Sequence, residues 1–152
     1  MKNMKYQQSV IVKDISIEAA KSAFNDLNFL KHLIALQPVK VVKWDGTFDG
    51  AVAHMRFWFF GWKDFIVEHN SNEEKRSSFS FKDTGSTLPF GLTKWEHTHK
   101  VMKINSDINI IDIIHFKCKS KILGALVYPI LIAPIFIRKI LYQTYNWKSK
   151  KS

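Results

Sequence analysis

The sequence predicts an α+β domain in which a curved antiparallel β-sheet wraps around a long C-terminal helix. The order of its patterns is the first indication, since one strand is followed by helical residues up to Pro38 and then by about six strands over residues 39–117. A long apolar segment beginning at Lys121 is the second indication. A sheet with one apolar face needs a cover, and this segment is the longest apolar element in the chain.

Size and composition agree with one folded unit. The 152 residues are enough to bury a sizeable core, and 46% of them are hydrophobic and 14% aromatic, which excludes a disordered chain. We therefore expect a single domain over residues 1–152. Cys118 is the only cysteine, so no internal disulfide can form. The N-terminal residues contain no apolar core of signal-peptide length, and we expect a cytoplasmic protein.

The formal net charge of +10 raises the question of anionic partners. Apart from the tail at 147–152, the lysines are scattered along the chain, as on a solvated surface. No recognition helix, zinc finger or RNA-binding signature accompanies the charge, so we predict no nucleic-acid partner.

The first elements are a strand within residues 5–14 and two short helices. Ser16 is a candidate N-cap, and apolar residues follow it at helical spacing. The polar residues 25–28 divide the helical stretch before Pro38. From residue 39 onward the strands are separated by turn signals, among them the Asp-Gly pair at 45–46.

The last element is a helix from Lys121 to about Lys148. Its uncharged part, residues 122–137, would span about 24 Å at 1.5 Å per residue, which is short of the roughly 30 Å of a membrane core. It also contains Pro129 and Pro134, which interrupt helical hydrogen bonds. We expect this helix to pack on the sheet, and peripheral membrane contact stays open as an alternative because the end of the helix is basic.

A motif in the middle of the chain resembles a known family. The stretch FKDTGSTLPFGLTKWEHTHKV is similar to the ligand-binding SRPBCC proteins of the START and birch-pollen-allergen-like superfamily, in particular an uncharacterised bacterial branch related to polyketide cyclases. The residues that carry the resemblance are Phe81, Asp83, Pro89, Phe90, Trp95, His97, His99 and Asp112. The chain departs from the family pattern at Leu88, where glycine is common, and at 118–120, which lacks the usual Pro-Gly. The resemblance implies the helix-grip fold, hydrophobic-ligand binding and, in some members, cyclase activity.

Two histidines and an aspartate are the candidate polar site. Alternation along their strand places Trp95, His97 and His99 on one face and the charged residues between them on the other. In the next strand Asp112 is the only ionisable residue of an apolar row. With a hairpin turn at 105–106, His99 lies directly opposite Asp112, close enough for an imidazole to meet a carboxylate. His97 would then lie diagonally, within reach of a ligand.

Three interpretations of this site remain open. The His99–Asp112 pair can be a purely structural way to satisfy a buried carboxylate. It can contact the polar end of a ligand, or His99 can act as a general base oriented by Asp112. A metal site normally needs three or four ligands. Asp112 could be the third beside His97 and His99, but His54, His69 and His115 have no compelling spacing, so no metal and no cofactor is predicted.

The predicted function is binding of a hydrophobic small molecule or lipid in a cavity between the sheet and the C-terminal helix. Pro89 and Phe90 would shape its entrance. The alternatives are a cyclase, dehydratase or hydrolase-like enzyme that uses the His–Asp pair, and an interaction module that forms a homodimer or binds a membrane through Trp58, Phe60 and Trp62. The predicted ligand-binding residues are Met55, Phe57, Phe59, Phe79, Phe81, Phe90, Trp95, His97, His99, Asp112 and Leu131.

Overall fold

The structure of the chain is a computed structural model that describes residues 3–150. Seven strands form one sheet, with two helices between the first and second strands and two more after the last strand. The strands are β1 (Met4–Val12), β2 (Val39–Trp44), β3 (Val52–Trp58), β4 (Trp62–Lys75), β5 (Ser78–Thr87), β6 (Leu92–Ile104) and β7 (Asp107–Cys118). The α-helices are α1 (Ile17–Phe24), α2 (Leu27–Ile34), α3 (Lys121–Phe136) and α4 (Arg138–Thr144), and a 3₁₀ turn covers Trp147–Lys150.

The sheet is antiparallel throughout, in the order β1-β7-β6-β5-β4-β3-β2. Strands β2 to β7 pair with their neighbours in the chain, and β1 returns to pair with β7. Register shifts interrupt the pairing of β4 with β5 between Asn70 and Glu73, and that of β6 with β7 between Leu92 and Lys94. Bulges of this kind bend a strand and increase its twist, which curves the sheet. The predicted fold class is confirmed.

The two short helices after β1 begin at side-chain caps. The hydroxyl oxygen of Ser16 accepts a hydrogen bond from the backbone N–H of Ala19 at 3.1 Å, as predicted. The carboxylate of Asp26 accepts one from the backbone N–H of Asn28 at 2.7 Å, and this starts α2. Since each cap satisfies a backbone donor that the first turn leaves free, Asp26 restarts the helix directly after α1 ends.

The C-terminal helix is in two parts and shorter than predicted. It begins at the Ser120 cap, whose hydroxyl accepts from the N–H of Leu123 at 3.1 Å, and continues through both prolines to Phe136. After Ile137 the chain resumes as α4 and ends at Thr144 rather than near Lys148. The break matters for the site because it directs Arg138 towards the sheet.

By length and composition alone, one helical stretch among the described residues could cross a membrane. It joins α3 and α4 over Lys121–Thr144, 24 residues, and so exceeds the segment considered from the sequence. Only 22% of its most apolar window is buried inside the fold. The buried residues of α3 nevertheless pack on the concave face of the sheet: Gly124, Val127, Ile132 and Ile135.

The core on the concave face has two halves. In the first, residues of α1, α2, α4 and the 3₁₀ turn pack against β1, β5, β6 and β7. In the second, α3 packs against β4, β6 and β7, with β3 at the side. We call the first the solid half and the second the hollow half, because the larger cavity of the protein lies in the second.

Candidate functional site

The sheet register aligns polar residues in two rows that cross the concave face. In the first row His69 of β4 pairs with Asp83 of β5, and Asp83 pairs with His97 of β6. Directly opposite residues have Cβ atoms about 5 Å apart, so this row brings two imidazoles to one carboxylate.

The second row lies one pleat further along. His99 of β6 pairs with Asp112 of β7, as the sequence predicts, and Asp112 pairs with Gln8 of β1. Phe81 of β5 lies at the other end of the row, and its ring stacks on His99 with centroids 4.4 Å apart. The two rows together form what we call the polar cluster: His69, Asp83, His97, His99 and Asp112, with Gln8, Arg138 and Tyr142 around them.

The hydrogen bonds in the cluster run diagonally between the rows, which corrects one sequence prediction. His97 Nε2 bonds to Asp112 Oδ1 at 2.7 Å, whereas His99 Nε2 bonds to Asp83 Oδ2 at 2.9 Å. His99 Nδ1 stays 3.6 Å from Asp112 Oδ1 and has no hydrogen-bond partner. Pairing fixes the positions of the Cβ atoms, but side chains in strands lean along the strand, so the diagonal neighbour becomes the partner.

Asp112 is the most enclosed member of the cluster, with an exposed fraction of 0%. Its Oδ2 accepts from Gln8 Nε2 at 3.2 Å and from the Tyr142 hydroxyl at 3.0 Å, and Arg138 Nη1 lies 3.7 Å from its Oδ1. Gln8 Nε2 also donates to the carbonyl of Ile135 at 2.7 Å, near the end of α3. Every oxygen of this buried carboxylate therefore has a donor, as a buried charge requires.

The surroundings of the cluster shift the pKa values of Asp112, Asp83 and His97. Burial alone would raise the pKa of Asp112, but its hydrogen bond with His97 and the nearby positive charges outweigh burial and hold the pKa below its ordinary value. The same balance, with His99 and His69 as partners, lowers the pKa of Asp83. Burial and the neighbouring His99 lower the pKa of His97 to about 4, against its bond with Asp112.

Sequence reasoning missed several members of the cluster. Asp83 was identified only as a motif residue and His69 was set aside, although His69 alternates with the buried Phe65 and Val67 and so belongs to the inner face of its strand. That period-two signal could have found it. Nothing in the sequence indicates that Arg138 turns inwards, because the break at Ile137 decides its direction.

A cavity of about 220 Å³ opens in the hollow half, between α3 and strands β3 to β6. Its wall is mainly apolar, and Asp83, His97 and Arg138 form its polar end. The remaining lining residues are Ile34, Gln37, Pro38, Val39, Met55, Phe57, Trp58, Phe59, Phe65, Pro89, Phe90, Trp95, Ile130, Leu131, Pro134 and Ile135.

Seven predicted ligand-binding residues line this cavity: Met55, Phe57, Phe59, Phe90, Trp95, His97 and Leu131. Phe81 and His99 instead line a second, smaller pocket of about 50 Å³, which also reaches Asp83 and Arg138. Phe79 and Asp112 line neither pocket. Phe79 packs in the solid half, with its ring 5.6 Å from that of Phe24, because α1 covers that end of β5.

The cavity mouth is bordered by two loops with unusual backbone. Phe90 has φ 59° and Gly91 has φ 67°, both in the left-handed region, and a Cβ on Gly91 would lie 2.5 Å from Leu123 of α3. The glycine therefore lets the loop approach the helix closely. The rings of Phe90 and Phe59 meet at 5.5 Å, which places the β3–β4 turn beside this loop.

That β3–β4 turn is an exposed aromatic surface, which we call the aromatic turn: Trp58, Phe59, Phe60 and Trp62. Phe60, at its tip, is 84% exposed. Trp58, Phe60 and Trp62, the residues named above for an interaction module, are 50%, 84% and 37% exposed. Lys40 lies over the ring of Trp62, with its Nζ 4.1 Å from the ring centroid.

The outward side of the C-terminal helix is also apolar. Large residues point away from the sheet along its whole length: Ile122, Leu126, Phe136 and Ile140. Leu126 is 66% exposed, and within Lys121–Thr144 the exposed charged residues are Lys121 and Lys139. We call this surface the outer helix face. It is unlike the outward side of an ordinary amphipathic helix, which is polar.

Comparisons with known proteins bear on the fold. No family model matches the sequence, and no curated protein sequence matches it. Solved structures do match. The aromatase/cyclase Zhui from Streptomyces sp. R1128 has a TM-score of 0.65 at 8% identity, covering 99% of this chain and 94% of that one.

Two plant proteins are similar in the same way. Norcoclaurine synthase from Thalictrum flavum, solved in complex with dopamine and hydroxybenzaldehyde, has a TM-score of 0.63 at 14% identity and covers 92% of this chain and 84% of that one. Major latex-like protein 151 from Panax ginseng has a TM-score of 0.59 at 13% identity, with coverages of 92% and 96%. At such identities the matches show the helix-grip fold alone.

Proposed function

We propose that the chain binds an apolar small molecule or lipid in the cavity of the hollow half. The observation that carries the proposal is the cavity itself, whose apolar wall ends in two charged side chains and a histidine. Ligand sites combine these features, since apolar burial supplies affinity and a few polar groups fix orientation. Norcoclaurine synthase, which has the same fold, was solved in complex with dopamine and hydroxybenzaldehyde, and another protein of this fold is an aromatase/cyclase.

The size of the cavity limits the ligand. A volume of about 220 Å³ is smaller than the roughly 300–1,000 Å³ typical of sites for drug-sized ligands. A ring or a short acyl segment therefore fits inside, and a longer ligand would extend past Phe59 and Phe90 through the mouth.

The polar end indicates what the buried tip of the ligand carries. The Nε and Nη1 atoms of Arg138 are buried without hydrogen-bond partners, and its side chain is only 12% exposed. A buried unsatisfied donor costs free energy, so an oxygen acceptor on the ligand would satisfy it. We therefore expect an apolar ligand with an oxygen function at one end, such as a carbonyl, hydroxyl or carboxyl group.

A matched pair of variants tests the cavity. Leu131→Trp fills it from α3, whereas Ile140→Trp makes a similar change on the outer helix face. We expect Leu131→Trp to weaken binding of an apolar fluorescent probe at least tenfold and Ile140→Trp to leave it unchanged. Native mass spectrometry of gently purified wild-type protein would then identify any molecule that co-purifies. Equal probe binding by both variants would contradict the proposal.

Catalysis in the same cavity is the second candidate function. It is favoured by His97, which lines the cavity and is oriented by its 2.7 Å bond to Asp112. His99, the base expected from the sequence, bonds to Asp83 and lines only the smaller pocket. With its pKa lowered to about 4, His97 would be neutral at pH 7 but a weak base, so binding is the stronger proposal. His97→Gln would abolish conversion of a co-purified ligand, whereas a pure binding protein would leave that ligand unaltered.

We further propose that the ligand enters from an anionic membrane surface. The aromatic turn lies beside the cavity mouth, and the outer helix face carries Lys121 and Lys139 beside its apolar side chains. Apolar side chains next to lysines fit the boundary between acyl chains and anionic headgroups, which the net charge of +10 also favours.

Vesicle flotation tests this contact. The protein should float with vesicles that contain phosphatidylserine and stay behind with pure phosphatidylcholine, and Phe60→Asp with Leu126→Asp should abolish flotation. Sedimentation of the protein alone checks the alternative that a second copy covers these surfaces. A dimer that both substitutions dissociate, without flotation of the wild type, would replace the membrane proposal.

A further inference from the structure

The starting observation is that Asp83 is surrounded by imidazoles. Its Oδ2 lies 2.9 Å from His99 Nε2 and 3.9 Å from His97 Nδ1, and its Oδ1 lies 3.0 Å from His69 Nε2. Among the described residues no lysine or arginine nitrogen lies within 4 Å of this carboxylate. Its side chain is only 15% exposed, so its charge must be compensated, and either the surrounding imidazoles or a bound cation can do this.

The donor atoms have the spacing of a metal site. One ligand atom each from Asp83, His97 and His99 lies within 4.8 Å of the others. Two nitrogens bound to one zinc ion at about 2.0–2.1 Å lie roughly 3.3 Å apart in a tetrahedral arrangement. The side chains therefore need to move by little more than about an ångström to share one ion. The ligands come from two adjacent strands, so the sheet holds them at fixed positions.

The outer hydrogen bond of His97 also has the arrangement of a metal site, whereas the Nδ1 of His99 has no hydrogen-bond partner. A metal-bound histidine usually donates its second N–H to a carboxylate or a carbonyl, which fixes the orientation of the ring. His97 does this, because its Nε2 bonds to Asp112 while its Nδ1 faces Asp83. His69 Nδ1 bonds to the carbonyl of Ala51 at 3.1 Å, and this turns its Nε2 towards the free side of Asp83.

We propose that Asp83, His97 and His99 bind one divalent transition-metal ion of the zinc class, with His69 orienting the carboxylate. Two imidazoles and one carboxylate leave at least one coordination position to an outside ligand. Asp83 and His97 line the larger cavity, and Asp83 and His99 line the smaller pocket, so an outside ligand in the larger cavity would lie beside two of the three metal ligands. The metal site stands independently of the proposed function. Only the idea that the oxygen end of the cavity ligand occupies the open position rests on that function.

Cobalt titration tests the site. Untagged protein is dialysed against a chelator and titrated with Co²⁺ at neutral pH, while visible absorption is recorded and Zn²⁺ is added as competitor. We expect saturation at one Co²⁺ per chain and loss of the absorption band with Zn²⁺. His99→Gln and Asp83→Asn should each weaken binding at least about 100-fold, beyond the usual effect of outer partners.

The matched control is His54→Gln. His54 lies outside the cluster and forms an ion pair with Asp64 at 2.8 Å, so its loss should leave Co²⁺ affinity unchanged. If the wild type shows no saturable band, or if His54→Gln weakens binding as much as His99→Gln does, the proposal is overturned and the cluster is a purely structural network.

A second measurement keeps the test independent of how the variants fold. X-ray absorption of the wild-type cobalt complex should show a shell with at least two imidazoles, and a shell with fewer would overturn the proposal. Binding of the apolar probe is recorded with and without Zn²⁺. A protein that binds metal but no probe keeps the metal site and loses the proposed function. A protein that binds the probe but no metal keeps the proposed function and loses the metal site.

Discussion

The two halves of the concave face differ in what covers them. In the solid half α1, α2, α4 and the 3₁₀ turn bring aromatic side chains that fill most of the space over the sheet and leave the smaller pocket of about 50 Å³. The ring of Phe29, for example, packs against the rings of Phe24, Tyr145 and Trp147, and its centroid lies 4.8 to 5.3 Å from theirs. In the hollow half α3 brings aliphatic residues and two prolines over Phe65 and Trp95, and about 220 Å³ stays open. One sheet thus supports a rigid core and a cavity side by side.

The polar cluster marks the boundary between the halves. Asp83 and Arg138 line both pockets, whereas Asp112 is sealed between them. The charged side chains of the cluster would lose their hydrogen-bond and ion-pair partners if they moved into either apolar region. The cluster therefore stays in place and separates the two halves.

The largest effect is expected in the solid half. Phe29→Ala removes a fully buried ring between three other rings, and the free energy of unfolding should fall by about 3–5 kcal/mol. Urea unfolding measures the change. Because the cavity lies on the other side of the cluster, affinity for an apolar probe should stay within about twofold under conditions where the variant is folded. A large loss of probe affinity would show that the halves are coupled.

At the boundary, Tyr142→Phe removes one hydroxyl that donates to Asp112. The expected loss of stability is about 1–3 kcal/mol, at the lower end because Gln8 and His97 still donate to that carboxylate. Thermal or urea unfolding checks it. If the free energy of unfolding does not change, the hydrogen bond from the Tyr142 hydroxyl to Asp112 contributes nothing to stability beyond the packing of the ring.

In the hollow half, Leu131→Ala should cost less than the 2–5 kcal/mol typical of a fully buried leucine, about 1–2 kcal/mol, because Leu131 already faces open space. The enlarged cavity should accept a longer apolar probe more tightly than the wild type does. Fluorescence titration with probes of graded length provides the measurement. A loss as large as that of Phe29→Ala would mean that the cavity is not hollow in solution.

The smallest effect on stability belongs to the aromatic turn. Phe60→Asp changes a residue that is 84% exposed, and unfolding should shift by no more than about 0.5 kcal/mol. Vesicle binding is expected to fall in the same variant. If neither the stability nor the flotation of the variant changes, the aromatic turn does not contact the membrane, and the outer helix face is then the contact surface.

Much of the fold follows from patterns that the sequence displays. The Ser16 cap, the break before α2 and the register that sets His99 opposite Asp112 were predicted from residue type and period, and the structure confirms them. The partner of each histidine was not predictable, since it depends on how the side chains lean after the backbone is placed. The same holds for Phe79, which was expected in the cavity wall and packs under α1. Patterns along one strand say which face a residue is on, but not which helix lies over that face.

Localisation and domain limits stay predictions. The helix-grip likeness covers nearly the whole described chain but says nothing about the compartment. The cytoplasmic location and the single domain over residues 1–152 therefore rest on the sequence arguments alone.

Gln8 connects the beginning of the chain to its end. Its amide donates to Asp112 of the last strand and to the carbonyl of Ile135, 127 residues further along. Contacts of such long sequence separation form late, because the loop-closure entropy must be lost before they contribute. During synthesis the central strands can pair while α3 and α4 are still to be made, and an apolar concave face then stays open to water and to other chains. We therefore expect slow folding and a dependence on chaperones that increases when Gln8 is replaced by leucine.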